Sequence, residues 1–452
     1  MSNIIILVLA FIVAISVLVA VHEFGHFWVA RRLGIRVLRF SIGFGKPIWR
    51  KVSAKDQTEY VISALPLGGY VKMLDERDCV VAPEDKQSAF NNKPIATRLA
   101  VLAAGPLFNF LFAIVIYWIT FMIGVTELRP VIGEIKADSY AAAAGLRAGD
   151  EIVAVGEKKI RSWQEATLAI IDDMVDDGQI TLAWREESGS EREAILDVGD
   201  EKRRLTEPGQ LFDGLGISVM PANVPPRIAR VVAGGAADRA GVQADDLIVS
   251  IDDQNLENWS ALYDFVRANP GLDTQVRLLR EKVQVDLPLS ISETQDEGQT
   301  VGVIGVAAAD PRVALQKQLR YGPIDAMGKA VAFTGEMTVF TLRMLWRMLT
   351  GDFSVRNLSG PITIAEYAGT TAQMGFDVFI KFLAIVSISL GILNLLPVPI
   401  LDGGQMVFQV AEALKGSPLS PETELRGQQV GIFLLLMLMS LAFYNDILRL
   451  VG

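Results

Sequence analysis

Histidine and cysteine are almost missing from this 452-residue chain, which has two of the first and one of the second. A lone thiol, Cys79, excludes any intramolecular disulfide framework and any CxxC metal site, and reads as an incidental thiol in a polar loop. Excess positive charge is missing too. With a formal charge of −10 there is no basic face for phosphates, so nucleic acid is not an expected partner. What the chain has in abundance is apolar sequence. Its hydrophobic fraction is 51% and its mean hydropathy +0.34, so some segments are expected to face lipid.

Four runs fit that expectation. Ile4 to Val21 is uncharged and close to the ~20 residues that cross a bilayer core. It could be a signal peptide, but it lacks a basic leader and a small-residue cleavage site, so a retained helix is expected. Leu99–Val125 follows Arg98, Phe376–Leu396 tolerates Asp377 and Lys381 near its start, and Val430–Phe443 is the fourth run. Arg31, Arg32, Arg36, Arg39, Lys46, Arg50, Lys51 and Lys55 crowd the far end of the first. By the positive-inside rule that helix ends in the cytoplasm, and Thr126 onward lies on the opposite side. Ala326–Leu349 has apolar residues at helical spacing, interrupted by Glu336, Arg343 and Arg347. It reads as an amphipathic helix on the membrane surface.

A repeat separates the second and third runs. PVIGEIKADSYAAAAGLRAGDEIVAV and PRIARVVAGGAADRAGVQADDLIVSI align without a gap: Pro130 with Pro226, Gly145 with Gly241, Asp150 with Asp246, and on to Trp163 with Trp259, a constant offset of 96 (226 − 130). Each copy reads as a strand, a short helix ending at glycine, and an alternating strand. AGLRAGDEI and AGVQADDLI resemble the AGLxxGDxI core of PDZ domains, with Asp245 where that pattern has glycine. GLGI at Gly214–Ile217 is similar to a PDZ carboxylate-binding loop, and loop order leaves open which copy owns it. The resemblance implies capture of extended peptides at a sheet edge. Two small β domains that bind nothing are the plain alternative.

Both histidines, His22 and His26, stand in VHEFGHFWVARR. Four apart on a helix, they project from one face and can reach one metal ion, with Glu23 beside them as general base. The bland alternative is a polar patch at a helix end. A catalytic zinc wants a third protein ligand and an open position, and with the histidines used up that ligand should be a carboxylate. Asp402 in NLLPVPILDGG is the candidate, because Pro397 and Pro399 break the preceding helix and can turn the chain back. On its own, Asp-Gly is a common turn signal. The residues do not distinguish zinc from another divalent ion.

HEFGH near the start, the PDZ-like pair, SGPITIA at Ser359–Ala365 and NxxPxPxLDGG together resemble the site-2 protease family over nearly the whole chain. One departure is Gln405, where the family pattern has histidine after LDGG. The resemblance implies zinc as cofactor, His22, His26 and Asp402 as its ligands, Glu23 as catalytic base, and Asn394 in contact with substrate or a developing oxyanion. It implies that RFSIGFGKPIWR and TEYVISALPLGGYVKM form a membrane-re-entrant β-hairpin whose Gly43, Phe44 and Gly45 help bind an unwound substrate. Expected substrates are single-span membrane proteins: an anti-sigma factor after a first periplasmic cut, and remnant signal peptides, in regulated intramembrane proteolysis of the envelope stress response. A PDZ scaffold with a vestigial site and a metal transporter are the competing readings. Intact Glu23 weighs against the first, and scarcity of buried ligands against the second.

The expected architecture is a polytopic α-helical protein of the cell inner membrane with four transmembrane helices, a membrane-associated β-hairpin and two periplasmic α+β PDZ domains. Its parts are a first transmembrane helix (1–33), the hairpin region (34–97), a second helix (98–125), PDZ domains at 126–221 and 222–310, an amphipathic surface region (311–375), a third helix with LDG (376–404), a cytoplasmic loop (405–427) and a fourth helix (428–447). Both termini would be periplasmic and the active site near the cytoplasmic side.

Overall fold

The computed structural model describes residues 2–78, 80–186, 188–219, 225–252, 254–296, 299–308 and 315–451. Cys79 and the expected domain boundaries at 221/222 and 310 lie outside them. The chain divides into two units, residues 1–125 with 319–452, and residues 126–318.

In the first unit, α1 (Ser2–Arg32) leads into strands β1 (Val37–Val52) and β2 (Glu59–Met73), then α2 (Ile95–Ile123). The two strands expected from sequence fold into more than a simple hairpin. Phe40 pairs with both Tyr60 and Val71, and Ile42 with both Ile62 and Gly69, while Trp49 pairs with Ile62. Each long strand therefore bends and contributes twice, giving the order 47–52, 59–63, 39–42, 69–73. Segment 69–73 is an edge.

The second unit holds the repeat, and its two halves match element for element over 140–197 and 236–290. After β3 (Val125–Leu128), the first copy runs α3 (Tyr140–Ala143), β4 (Glu151–Val155), α4 (Trp163–Asp177), β6 (Gln179–Arg185) and β7 (Glu191–Asp197), with the short β5 (Lys158–Lys159) beside β4. Helices α5 (Lys202–Leu205) and α6 (Gln210–Leu215) follow. The second copy has β8 (Ile228–Val231) and α7 (Ala236–Ala240), then β9 (Leu247–Ile251), β10 (Gln254–Asn255), α8 (Trp259–Ala268), β11 (Asp273–Arg280) and β12 (Val283–Ser290), its four sheet strands β9 to β12 taking the same order as β4 to β7. Each buries its own core, around Ile152, Ile170 and Trp184 in one and Ile248, Leu262 and Val276 in the other. Asp245 takes a left-handed φ of +69° where its counterpart Gly149 has +91°, which aspartate tolerates better than most residues.

Beyond Trp259 the sequence offset of 96 no longer describes the structure. Ile152 pairs with Trp184, and Ile248 with Leu278, an offset of 94 (278 − 184). Arg280 thus stands where the first copy has Glu186. It grips the buried Asp246 with both nitrogens, Nε to Oδ1 at 2.8 Å and Nη2 to Oδ2 at 2.7 Å. Burial pushes the Asp246 carboxyl up, but Arg280 and the Gln243 amide outweigh it and hold it below the usual carboxylate range. Burial and, after the opposing pull of the Arg147 amide, the Glu186 carboxylate push Asp150 above that range.

Residues 217 and 306 also correspond: Ile217 bridges Ile135 as Val306 pairs with Val231. GLGI therefore belongs to the first copy, and Ile304–Gly305–Val306 is its partner in the second. Gly216 and Gly305 share a positive φ, +78° and +75°. In the first copy the loop amides are already engaged, Gly216 N–H with Asp213 O and Ile217 N–H with Phe212 O. The Gly305 N–H has no partner among the described residues.

Returning to the first unit, α9 (Pro323–Thr350) is the helix expected to be amphipathic. Its Ala326 and Ala330 pack with Ala113, Tyr117 and Phe121 of α2, while Val331, Val339 and Trp346 remain exposed. Next come α10 (Pro361–Met374), α11 (Phe376–Leu395), α12 (Asp402–Lys415) and α13 (Pro421–Val451). Within the span 376–404, the helix stops at Leu395, just ahead of Pro397 and Pro399, and Asp402 opens a new one. The expected loop from 405 is helical as far as Lys415, because QMVFQVAEALK is built of good helix formers. The last helix starts at Pro421 rather than 428, since proline is preformed for a first turn and ETELR continues it. Among the described residues, four helices are long and apolar enough to cross a membrane: Ile5–Arg32, Ile95–Ile123, Phe376–Leu395 and Pro421–Leu450.

The SGPITIA segment finds its role in a clasp. Asp446 of α13 accepts the Gly360 and Ile362 amides at 2.9 Å, the Thr363 amide at 3.2 Å and the Thr363 hydroxyl at 2.6 Å, capping α10 from another helix. Asn445 donates to Val355 O and Leu358 O, and Arg449 to Thr363 Oγ1.

Candidate metal centre

Missing side chains bring the site together. A Cβ on Gly25 of α1 would lie 2.5 Å from the Ala104 carbonyl, and one on Gly105 of α2 would lie 2.3 Å from His26 Nε2. The two backbones can approach only because both positions are glycine. Both imidazoles fill the space this leaves. His26 donates Nδ1–H to the Val101 carbonyl at 2.8 Å, which fixes its tautomer and turns the Nε2 lone pair inward.

Asp402 arrives by a sharp reversal. After α11 ends, Leu401 N–H bonds to Val398 O, and Gln405, the departure noted in the sequence, donates its side-chain amide to Pro399 O at 2.8 Å. Cβ atoms at Gly403 and Gly404 would sit 2.2 Å from Leu395 O and 2.1 Å from Val398 O, so only glycine fits either place. Farther along α12, Glu412 pairs with Arg98 of α2 at 2.9 Å and ties the helix down.

These elements place three donor atoms at the corners of a nearly equilateral triangle. His22 Nε2 lies 3.3 Å from His26 Nε2 and 3.2 Å from Asp402 Oδ2, and His26 Nε2 lies 3.4 Å from the same oxygen. A tetrahedral ion bound at ~2.0–2.1 Å separates its ligand atoms by about 3.3–3.4 Å. Asp402 Oδ2 is buried with no hydrogen-bond partner among the described residues, and it groups with the two ring nitrogens as atoms that could hold a metal ion. Two nitrogens and one carboxylate oxygen are the protein donor set that suits a catalytic zinc, whose fourth position is kept for water or substrate.

Glu23 points to the other strand system. A Cβ on Gly69 would come within 3.0 Å of Glu23 Cγ, and the Val71 amide faces its carboxylate. The edge segment 69–73 therefore lines the site. Gly43 and Gly45 take φ values of +89° and +87° at the bend of β1, and Phe44 stacks on Tyr70 with ring centroids 6.2 Å apart. A Cβ on Gly68 would meet that ring at 2.3 Å. Gly43–Gly45 thus touches the edge strand and not the donor triangle. Asn394 is half-buried near the end of α11, and its side chain makes no hydrogen bond among the described residues.

Sequence reasoning missed Gly25, Gly105, Gly69, Val71 and Asn109. The last was visible as a lone amide in the run Leu99–Val125. It is fully buried, with Nδ2 3.2 Å from His22 Nδ1.

Three donor atoms that could hold a zinc ion, beside a glutamate on a helix of membrane-crossing length, fit the class of membrane metalloproteases. The profile of Peptidase family M50 matches residues 10–438, and the chain belongs to that family. It is 42% identical over 448 residues to the regulator of sigma-E protease RseP of Escherichia coli (strain K12), covering 98% of each chain. It is 43% identical over 446 residues to the regulator of sigma E protease of Salmonella typhi, again 98% of each. A putative zinc metalloprotease of Vibrio cholerae serotype O1 is 41% identical over 449 residues, 98% of each. The protein is a multi-pass zinc metalloprotease.

Proposed function

We propose that the chain is a site-2-type endopeptidase of the inner membrane that hydrolyses transmembrane segments of single-span proteins, and that it acts in sigma-E regulation as its named relatives do. The donor triangle beside Glu23, at the end of a membrane-length helix, carries this reading. His22, His26 and Asp402 hold the ion. Zinc, when bound there, lowers the pKa of a water ligand and polarises the scissile carbonyl. Glu23 takes the proton of the attacking water and passes it to the leaving nitrogen. Asn394 holds substrate or the developing oxyanion, a role supported by a side chain that makes no hydrogen bond among the described residues.

A transmembrane helix must unwind before it can be cut, and lipid penalises each backbone group this frees. Segment 69–73 supplies replacement partners by accepting the substrate as a further strand. Gly43, Phe44 and Gly45 support that edge through the Phe44–Tyr70 stack.

The repeat lies in the periplasm with both termini, and the arginines after α1 mark the cytoplasmic side. Its copies are PDZ domains that capture the new end of a trimmed substrate or exclude bulky ones. The free Gly305 amide favours the second copy for capture. Expected substrates are an anti-sigma factor already cut outside and remnant signal peptides.

The test is cleavage of an outwardly trimmed single-span substrate by purified protein, alongside Glu23→Gln. The reading requires cleavage by the wild type only, with zinc retained in the variant. A Glu23→Gln protein that still cleaves removes Glu23 as the base, and an inactive wild type with zinc bound removes this substrate class.

A further inference from the structure

We infer that Asn109 is a positioning residue that selects the metal-binding tautomer of His22 by accepting its Nδ1 proton. The inference rests on His22 being a zinc ligand. A neutral imidazole has one protonated and one bare nitrogen, and ligation through Nε2 requires the proton on Nδ1. For His26 the acceptor of that proton is the Val101 carbonyl. For His22, whose Nε2 faces His26 and Asp402, the group at Nδ1 is the Asn109 side chain.

That amide presents Nδ2 to the ring at 3.2 Å, while its Oδ1 is buried with no partner among the described residues. An N–H donor at Nδ1 suits the opposite tautomer, with the His22 proton on Nε2 directed at Asp402. A half-turn of the side-chain amide replaces the donor with the orphaned oxygen, and the oxygen then accepts Nδ1–H. Both states fit one shape, because the two ends of the amide are nearly the same size. The Asn109 backbone is held while this happens: its carbonyl accepts the Ser387 hydroxyl of α11 at 2.9 Å. Asn109 thereby does for His22 what a backbone carbonyl does for His26, and it can also release the ring when the ion leaves.

The chain's composition makes this testable, because His22 and His26 are its only histidines. In full-length protein labelled with 15N-histidine, two imidazoles give all the ring signals. Zinc affinity is measured in parallel by competition with a chelator. Asn109→Leu, similar in size but without an acceptor, is expected to weaken zinc binding about 10–100-fold. It should shift the His22 Nδ1 signal of the zinc form and leave that of His26 in place. Asn109→Asp keeps an acceptor and should bind zinc within a few-fold of wild type. If N109L does not fold, Asn109→Ala removes the amide without adding bulk and carries the same expectation. Wild-type affinity with an unmoved His22 signal in N109L or N109A overturns the inference, as does a loss in N109D equal to theirs. His22→Ala separates the two levels: unchanged zinc affinity there removes the ligand set itself, whereas lost affinity beside a neutral N109L removes only the role of Asn109.

Discussion

Adding one methyl group at Gly105 tests the metal centre with little chemical change. The new Cβ of Gly105→Ala would lie 2.3 Å from His26 Nε2, 2.7 Å from His26 Cε1 and 2.8 Å from His22 Cε1. Ordinary contact begins near 3.4 Å, so ligand and helix must separate by about 1.1 Å, and α2 has little room to retreat. Further along, it packs against α9 and α11 through Ala113, Tyr117, Ala326 and Ile388. The displacement therefore falls on the imidazoles, and it stretches the Val101–His26 bond as well. A misplacement of that size costs catalysis roughly 100-fold, which corresponds to about 2.7 kcal/mol. Helix propensity acts the other way, since alanine gains up to about 1 kcal/mol over glycine in a helix interior. Activity and bound zinc should fall while the thermal midpoint stays close to wild type. Gly328→Ala in α9 is the control: nothing lies within 4 Å of its Cβ, so only the propensity gain should remain. The assay is kcat/KM on a single-span substrate together with zinc stoichiometry. A G105A protein with wild-type values of both would refute the close-approach account of the site.

Asp446→Asn weakens a charged cap that receives four hydrogen bonds, and should cost about 2 kcal/mol or more, read as a lower unfolding midpoint and faster proteolysis within 351–363; an unchanged midpoint would remove the clasp as a stabilising element. Val71→Pro deletes the amide that faces Glu23, so turnover should collapse with zinc still bound, and undiminished turnover would rule out strand addition at that edge. The two repeat copies should respond to acid with opposite sign. Asp246, depressed in the fold, contributes stability above its unfolded value of about 3.9, and this is lost as pH falls through its folded value. Asp150, raised in the fold, costs stability above its folded value, and acid relieves that cost. Hydrogen exchange of the full chain between about pH 6 and about pH 3 should show the second copy loosening relative to the first, and equal responses would contradict the pairing of Asp246 with Arg280.

Much of this was legible in the sequence because the signals are short-range. Two histidines one helical turn apart, uncharged runs of membrane length and a gapless repeat each declare themselves within a few dozen residues. The repeat became illegible where two residues drop out before β11, hiding the exchange of Glu186 for Arg280 and the kinship of GLGI with Ile304–Val306. The helix break between Leu395 and Asp402 was readable from Pro397 and Pro399, but the helicity of 402–415 was not, since its apolar content is too low to mark it as a membrane segment. Residues that act by lacking a side chain were the hardest to see. Gly25, Gly69 and Gly105 matter only because another element passes within contact distance, and nothing local records that.

The donor triangle also has a place in time. Its histidines lie in the first thirty residues, and its carboxylate lies beyond the whole of the 126–318 unit. During synthesis the ribosome delivers two ligands early and the third only after hundreds of further residues. Until the LDGG turn has been made and folded back against α2, the growing chain has a helix with two bare imidazoles and an incomplete centre. A protease built this way is silent as a nascent chain. The segments of membrane length at 95–123 and 376–395 are made before the third donor residue exists, and only the last, 421–450, follows it.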